Sequence, residues 1–81
     1  MNSDNFYTTA ISMLIEESSY KDISINEFEI LKLKNIDIES LTFMELIIDL
    51  EEKFGLEVTD AMFDKDPTVK EFLLNLQRKI K

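Results

Sequence analysis

Apolar and aromatic residues recur at helical spacing near the start of the chain. Between about residues 3 and 18 they are Phe6, Tyr7, Ala10, Ile11, Met13 and Leu14. A spacing of three or four residues places side chains on one face of an α-helix. Ser3 or Asp4 can cap the start of such a helix. The pattern therefore predicts a first helix over about residues 3–18.

The segment from Ser40 to Phe54 has the most regular pattern in the chain. On a helical wheel its core-facing residues fall within about 60° either side of one line; they are Phe43, Leu46, Ile47, Leu50 and Phe54. Gly55 follows, and glycine commonly ends helices because it adopts the left-handed conformation at little cost. We predict a helix over Ser40–Phe54.

The remainder of the chain contains signals for two further helical segments. A short helical turn is predicted at about residues 60–64, and Asp66-Pro67 resembles an N-cap followed by the first residue of a last helix. The apolar face of that helix comprises Val69, Phe72, Leu73, Leu76 and Ile80, and its basic carboxyl end comprises Arg78, Lys79 and Lys81.

Residues 19–39 have no single hydrophobic period. Local alternation, as in Ile23/Ile25 and Ile36/Ile38, is compatible with short strands. We interpret this stretch instead as a long ordered connection whose apolar residues contact the core.

Composition restricts the possible functions. The 81 residues form one domain, with 17 acidic and 9 basic side chains and a net charge of −8. Neither Cys nor His occurs, which excludes a thiolate nucleophile, an imidazole base and the usual zinc sites. We expect no metal site and no catalytic residue, and the negative charge argues against nucleic acid as a partner. No signal peptide or membrane-spanning run is visible. We therefore expect a cytoplasmic monomer that is not an enzyme and has no membrane partner.

The negative charge is concentrated in one part of the chain. Residues 37–66 hold ten acidic and two basic side chains, which accounts for the whole net charge of −8. A second apolar strip on the predicted helix faces away from the core; the strip and its flanking acids are Leu41, Met44, Ile48, Glu45, Glu51 and Glu52. An apolar strip bordered by carboxylates is typical of a surface that docks a basic partner. The alternative is that Met44 and Ile48 pack under the turn at residues 60–64.

Ser40 stands at the entrance of the best-defined helix. Its simplest role is that of an N-cap, although Phe43 rather than Glu or Gln occupies the third helical position. A phosphate ester on this hydroxyl would lie against free backbone N–H groups and the positive end of the helix dipole.

The segment around this serine resembles the acyl carrier protein family. Glu39-Ser40-Leu41 is similar to the family's Asp-Ser-Leu attachment motif, and the resemblance runs without a gap over about residues 36–80. The other matching segments are Met44-Glu45-Leu46, Leu50-Glu51-Glu52-Lys53-Phe54, Leu56-Glu57-Val58, Asp60 and Thr68-Val69.

The resemblance implies a fold and a function. The fold would be an all-α four-helix bundle with three longer helices and one short, in a single carrier-like domain over residues 1–81 with a long connection between the first two helices. Ser40 would bear 4′-phosphopantetheine, on which acyl groups are carried as thioesters. Partner enzymes would meet Glu39, Leu41, Met44, Glu45, Ile48, Glu51, Glu52 and Glu57.

The absent residue types agree with a carrier of this kind. A thioester carrier needs a thiol, which in a chain without Cys must arrive with the prosthetic group. Without His to activate Ser40, attachment from coenzyme A requires a separate phosphopantetheinyl transferase. Further partners would be an acyl- or aminoacyl-loading ligase and synthase enzymes with basic docking patches.

Three departures from the family pattern indicate a specialised carrier in a lipid or secondary-metabolite pathway. Asp37 and Ile38 stand where the family usually has Gly, and Glu39 replaces the usual Asp. The connection before Ser40 is about four residues longer than usual if Phe28 is the family's loop aromatic. The Gly-Gly-x-Ser pattern of peptidyl carriers is absent, which disfavours an aminoacyl load without excluding it.

Two other functions compete with this interpretation. The first is a carrier-like acidic module that binds a basic partner and is never modified. The second is a hydrolase or metal-dependent enzyme with paired carboxylates, Glu45/Asp49 or Asp60/Asp64, but so small a bundle offers little concave pocket.

Overall fold

The described part of the chain contains four α-helices and two 3₁₀ turns. The computed structural model describes residues 5–80. Its helices are α1 (Phe6–Glu17), α2 (Ile25–Phe28), α3 (Ser40–Phe54) and α4 (Val69–Gln77), and its 3₁₀ turns are Leu33–Asn35 and Asp60–Phe63. The predicted all-α bundle with three longer helices and one short is confirmed. The segment predicted as a helical turn at residues 60–64 is the second 3₁₀ turn.

The core lies where α1, α3 and α4 meet. Phe6 of α1 and Phe54 of α3 contact edge to face, with ring centroids 5.0 Å apart. The predicted apolar faces of the three long helices point into this core, and their buried members are Phe6, Ala10, Ile11, Leu14, Leu46, Ile47, Leu50, Phe54, Val69, Phe72, Leu73 and Leu76. Phe43 is only half-buried, because it lies near a surface cleft.

The ends of α1 and α3 are set by different local features. The predicted caps of α1, Ser3 and Asp4, lie outside the described residues. After α1, buried Ser18 closes the turn, since its Oγ donates to the Ile15 carbonyl at 2.8 Å and accepts from the Tyr20 N–H at 3.0 Å. α3 ends as predicted at Gly55, whose φ of 66° is the left-handed conformation.

The connection between α1 and α3 is ordered and contacts the core, as predicted. Phe28, Leu33 and Ile36 are buried, and the stretch contains α2 and one 3₁₀ turn rather than strands. Ser24 caps α2 by accepting the Glu27 N–H at 3.2 Å. Burial of these three side chains against the rest of the protein therefore determines the structure of this segment.

Two hydrogen-bond sets fasten the connection to its neighbours. The Tyr7 hydroxyl donates to Glu29 Oε1 at 2.6 Å, and partial burial together with this carboxylate raises the pKa of Tyr7 above its usual value. Backbone N–H groups of Leu33 and Val69 donate to the carbonyls of Pro67 and Leu31, each at 2.8 Å. The connection is therefore attached to both α1 and the start of α4.

The predicted start of α4 at Asp66-Pro67 is wrong. Thr68 is the N-cap, and it forms a capping box with Glu71: Thr68 Oγ1 accepts the Glu71 N–H at 3.1 Å, and Glu71 Oε1 accepts the Thr68 N–H at 2.8 Å. Asp66 has a left-handed backbone, with φ of 55°, and its side chain pairs with Lys34. The helix starts later because the reciprocal pair satisfies two N–H groups, whereas the Asp66 side chain is engaged elsewhere.

Candidate functional site

Ser40 is the first residue of α3 and is exposed to solvent. Glu39 rather than Ser40 occupies the N-cap position, and no side chain caps the helix. Within residues 5–80, none of the side-chain hydrogen bonds uses the Ser40 hydroxyl. The N-cap interpretation of Ser40 is therefore wrong: Glu39 is the N-cap, and among residues 5–80 the Ser40 hydroxyl makes no side-chain hydrogen bond.

The entrance of α3 offers backbone N–H groups to an anion. The first helical hydrogen bond runs from the Phe43 N–H to the Glu39 carbonyl at 2.9 Å. The N–H groups of Ser40, Leu41 and Thr42 precede that bond, so they have no carbonyl partner within the helix. Together with the helix dipole, they would favour a phosphate ester on the Ser40 oxygen.

The turn before Ser40 contains a strained residue. Asp37, three residues before Ser40, has a φ of 56°, in the left-handed region that favours glycine. Aspartate tolerates this conformation better than most residues with a side chain. Asp37 therefore replaces the family's usual glycine at a position where the backbone has the left-handed conformation that glycine adopts most easily.

The apolar strip on α3 is open to solvent. Leu41, Met44 and Ile48 are 67%, 57% and 48% exposed. The alternative, that Met44 and Ile48 pack under the turn at residues 60–64, holds only in part. Met44 lines a cleft together with Phe63 of that turn, yet it stays exposed. The strip therefore remains a large exposed apolar surface on the outer face of the helix.

The acidic residues around the strip are not equivalent. Glu39, Glu45, Glu52 and Glu57 are exposed. Glu51 is half-buried, and its Oε2 accepts the Val58 N–H at 2.8 Å. This carboxylate fastens the loop after Gly55 to α3, a structural role that the sequence pattern did not reveal.

An apolar cleft opens beside Ser40. Its volume is about 430 Å³, within the range of small-molecule sites. Ser40 contributes to its lining, and the apolar lining residues include Leu33, Ile36, Ile38, Phe43, Met44 and Phe63. The cleft lies between the connection, α3 and the second 3₁₀ turn, so sequence periodicity alone could not reveal it.

Polar contacts fasten one side of this cleft. Lys34 Nζ lies 3.2 Å from Asp66 Oδ2, and Lys32 Nζ donates to the Asp66 carbonyl at 3.0 Å. The Lys34 and Asp66 side chains are 67% and 42% exposed, so the ion pair adds little stability. Its effect is to hold the loop before Pro67 against the connection.

Neither carboxylate pair of the enzyme hypothesis forms a larger cluster. Glu45, Asp49, Asp60 and Asp64 are all exposed. Within the part of the chain that the structure describes, no three metal-ligating side chains come together. The helices of residues 5–80 are also too short or too polar to cross a bilayer.

The geometry fits a phosphopantetheine ester. The Ser40 oxygen is accessible, the N–H groups at the start of α3 suit its phosphate, and the neighbouring cleft offers an apolar surface to the rest of the group. The group itself would supply the thiol that the chain lacks.

Comparison with known proteins agrees with this fit. The family model described as "Phosphopantetheine attachment site" matches residues 31–74, more than half of the chain, and the matched part includes Ser40, the cleft and the start of α4. No curated protein and no solved structure gives a significant match. Domains of this family carry covalently attached 4′-phosphopantetheine, are not catalytic themselves and work with a transferase and synthase enzymes. The chain belongs to the phosphopantetheine attachment site family, and it is a phosphopantetheine-carrying protein.

Proposed function

We propose that this protein is an acyl carrier protein whose 4′-phosphopantetheine arm is esterified to Ser40. Acyl or aminoacyl groups are carried on the arm as thioesters and delivered to partner enzymes. The observation that carries the proposal is the position of Ser40, which is exposed at the start of α3, where no side chain caps the helix. Within the described part of the chain its hydroxyl has no side-chain hydrogen bond. A reactive group attached there projects into solvent, where a partner's active site can receive it.

Partner enzymes dock on α3 through its exposed face. Leu41, Met44 and Ile48 supply apolar area, and the exposed carboxylates at Glu45 and Glu52 attract a basic patch on the partner. Glu39 and Glu57 extend the negative field around this face. Glu51 contributes charge to it, but its geometry is fixed by the Val58 N–H.

The partners follow from the chemistry that the chain lacks. Without His, the chain offers no imidazole to deprotonate Ser40, so a phosphopantetheinyl transferase attaches the arm from coenzyme A. A loading ligase and downstream synthases then charge the arm and use its cargo. Asp37, Glu39 and the long connection support a specialised lipid or secondary-metabolite pathway.

Intact-mass spectrometry tests the attachment. The protein is incubated with coenzyme A and a broad-specificity phosphopantetheinyl transferase. We expect one phosphopantetheine mass gain in the wild type, the same gain in Ser12→Ala, which removes an exposed hydroxyl from α1, and none in Ser40→Ala. No gain in the wild type, or a gain that persists in Ser40→Ala, refutes the proposal.

A second function is favoured by the strip alone. Leu41, Met44 and Ile48 are exposed in the chain without a prosthetic group, so an unmodified module could bind a basic partner through them. Purification from native cells distinguishes the two functions. A partner that binds Ser40→Ala as tightly as the wild type, together with no arm on the cellular protein, would establish the module instead.

A further inference from the structure

Three phenylalanine rings close the inner side of the cleft beside Ser40. Phe63 and Phe72 are the closest pair, with centroids 5.1 Å apart, and Phe43 lies 6.3 Å from Phe63 and 6.2 Å from Phe72. The rings come from α3, the second 3₁₀ turn and α4. They form one aromatic layer between the cleft and the interior of the bundle.

The residues that line the cleft define its inner boundary. Phe43 and Phe63 line it, whereas Phe72 does not and is 0% exposed. Leu46 and Leu50, on the core face of α3, are also buried and do not line it. An apolar group entering beside Ser40 therefore meets ring faces before it can reach the space between α3 and α4.

Hydrogen bonds hold the chain on both sides of Phe63. The Val58 N–H, in the loop before Phe63, donates to Glu51 Oε2. After Phe63, the Pro67 carbonyl accepts the Leu33 N–H. Met62, next to Phe63, is buried in the core. Moving the rings apart would expose Phe72 and create a cavity in the close-packed core, and both changes are unfavourable.

We infer that Phe43, Phe63 and Phe72 limit the depth of the cleft, so that the carrier covers short acyl groups and leaves the distal part of a long chain in solvent. The inference rests on the proposed function and specifies its cargo as a short or small apolar acyl group. Phe63 is the specificity-determining residue, because it is the ring that is 39% exposed at the surface and lines the cleft.

A series of loaded proteins tests this limit. The transferase is supplied with acetyl-, butyryl-, octanoyl- or lauroyl-coenzyme A, and the thermal midpoint of each product is measured by far-UV circular dichroism. Burial of each methylene in the folded protein raises the midpoint by up to about 3–6 °C. We expect butyryl to raise the midpoint over the unacylated form, and octanoyl and lauroyl to add no further increase.

Two variants test whether the Phe63 ring sets the depth of the cleft. Phe63→Ala removes the outer ring, and Leu74→Ala is the matched control because Leu74 is 37% exposed and lies on α4, outside the lining of this cleft. We expect the midpoint of Phe63→Ala to keep rising from butyryl to octanoyl, while Leu74→Ala follows the wild-type profile. Phe63→Leu gives the same comparison if the alanine variant does not fold.

The outcomes separate this inference from the function on which it rests. A wild-type midpoint that rises steadily up to lauroyl, or one that no acyl group changes, refutes the depth limit while the attachment stands. A Phe63→Ala profile identical to that of Leu74→Ala removes the assignment to Phe63. If no acyl-phosphopantetheine mass is gained at all, the proposed function fails and the inference falls with it.

Discussion

The carboxylate of Glu51 combines two roles that a substitution can separate. The family resemblance places Glu51 among residues that meet partners, whereas the structure shows its Oε2 accepting the Val58 N–H at 2.8 Å. Glu52, its neighbour on α3, is exposed. We predict that Glu51→Ala destabilises the fold, and that Glu52→Ala does not.

The size of the effect follows from the bond that is lost. Hydrogen bonds to charged groups contribute about 1.5–3 kcal/mol, and because Glu51 is only half-buried we reduce this to about 1 kcal/mol. The higher helix propensity of alanine offsets a few tenths of a kcal/mol. In a domain of this size, 1 kcal/mol corresponds to a fall in the thermal midpoint of about 4–8 °C.

Urea unfolding followed by far-UV circular dichroism measures both variants. Glu51→Ala should lower the free energy of unfolding by about 1 kcal/mol, and Glu52→Ala should change it by no more than about 0.5 kcal/mol. Equal free energies of unfolding for the two variants would refute the structural role of Glu51. In partner binding, Glu52→Ala should weaken the salt-dependent association rate, because the exposed charge steers the encounter.

Three further predictions concern the fold around the site. Tyr7→Phe should lower the free energy of unfolding by about 1 kcal/mol near neutral pH. Because the pKa of Tyr7 is raised in the folded protein, the wild type keeps this stabilisation below about pH 10 and loses it as the pH rises further. The free energies of unfolding of the two proteins, measured in urea, should therefore converge at high pH. Thr68→Ala should lower the free energy of unfolding by about 1 kcal/mol, since it removes the cap of α4, and equality with the wild type would contradict the capping box. Asp37→Ala should be less stable than Asp37→Gly by about 1 kcal/mol, because φ at this position is 56°, and the reverse order in thermal unfolding would exclude backbone strain there.

The elements with regular patterns could be predicted from the sequence, and α3 shows why. Its apolar stripe and Gly55 gave the bounds Ser40–Phe54 that the structure has. The start of α4 was misplaced although Thr68 and Glu71 stand in the sequence with capping-box spacing, because Asp66-Pro67 imitates a helix start equally well. The helix starts at the capping box rather than at Asp66-Pro67 because Asp66 pairs with Lys34, a residue distant in the chain.

The same limit applies to the candidate site. Ser40 and the exposed strip follow from position on one helix, so the sequence alone predicts both. The hydrogen bond from the Val58 N–H to Glu51, the cleft and its aromatic layer depend on how separate segments meet, and no local spacing encodes them. The short helix α2 did leave a signal, since Ser24 and Glu27 have the spacing of a capping box.

The hydrogen bond between the Leu33 N–H and the Pro67 carbonyl has a consequence for how this protein can diversify. Both residues line the cleft, so the separation of its walls at that end is set by the main chain. Substitutions at Phe43, Met44 or Phe63 can alter the depth and shape of the space, but they leave this width unchanged. Related carriers that accept bulkier loads should therefore differ in backbone pairing at this junction, through inserted or deleted residues, rather than in side chains alone.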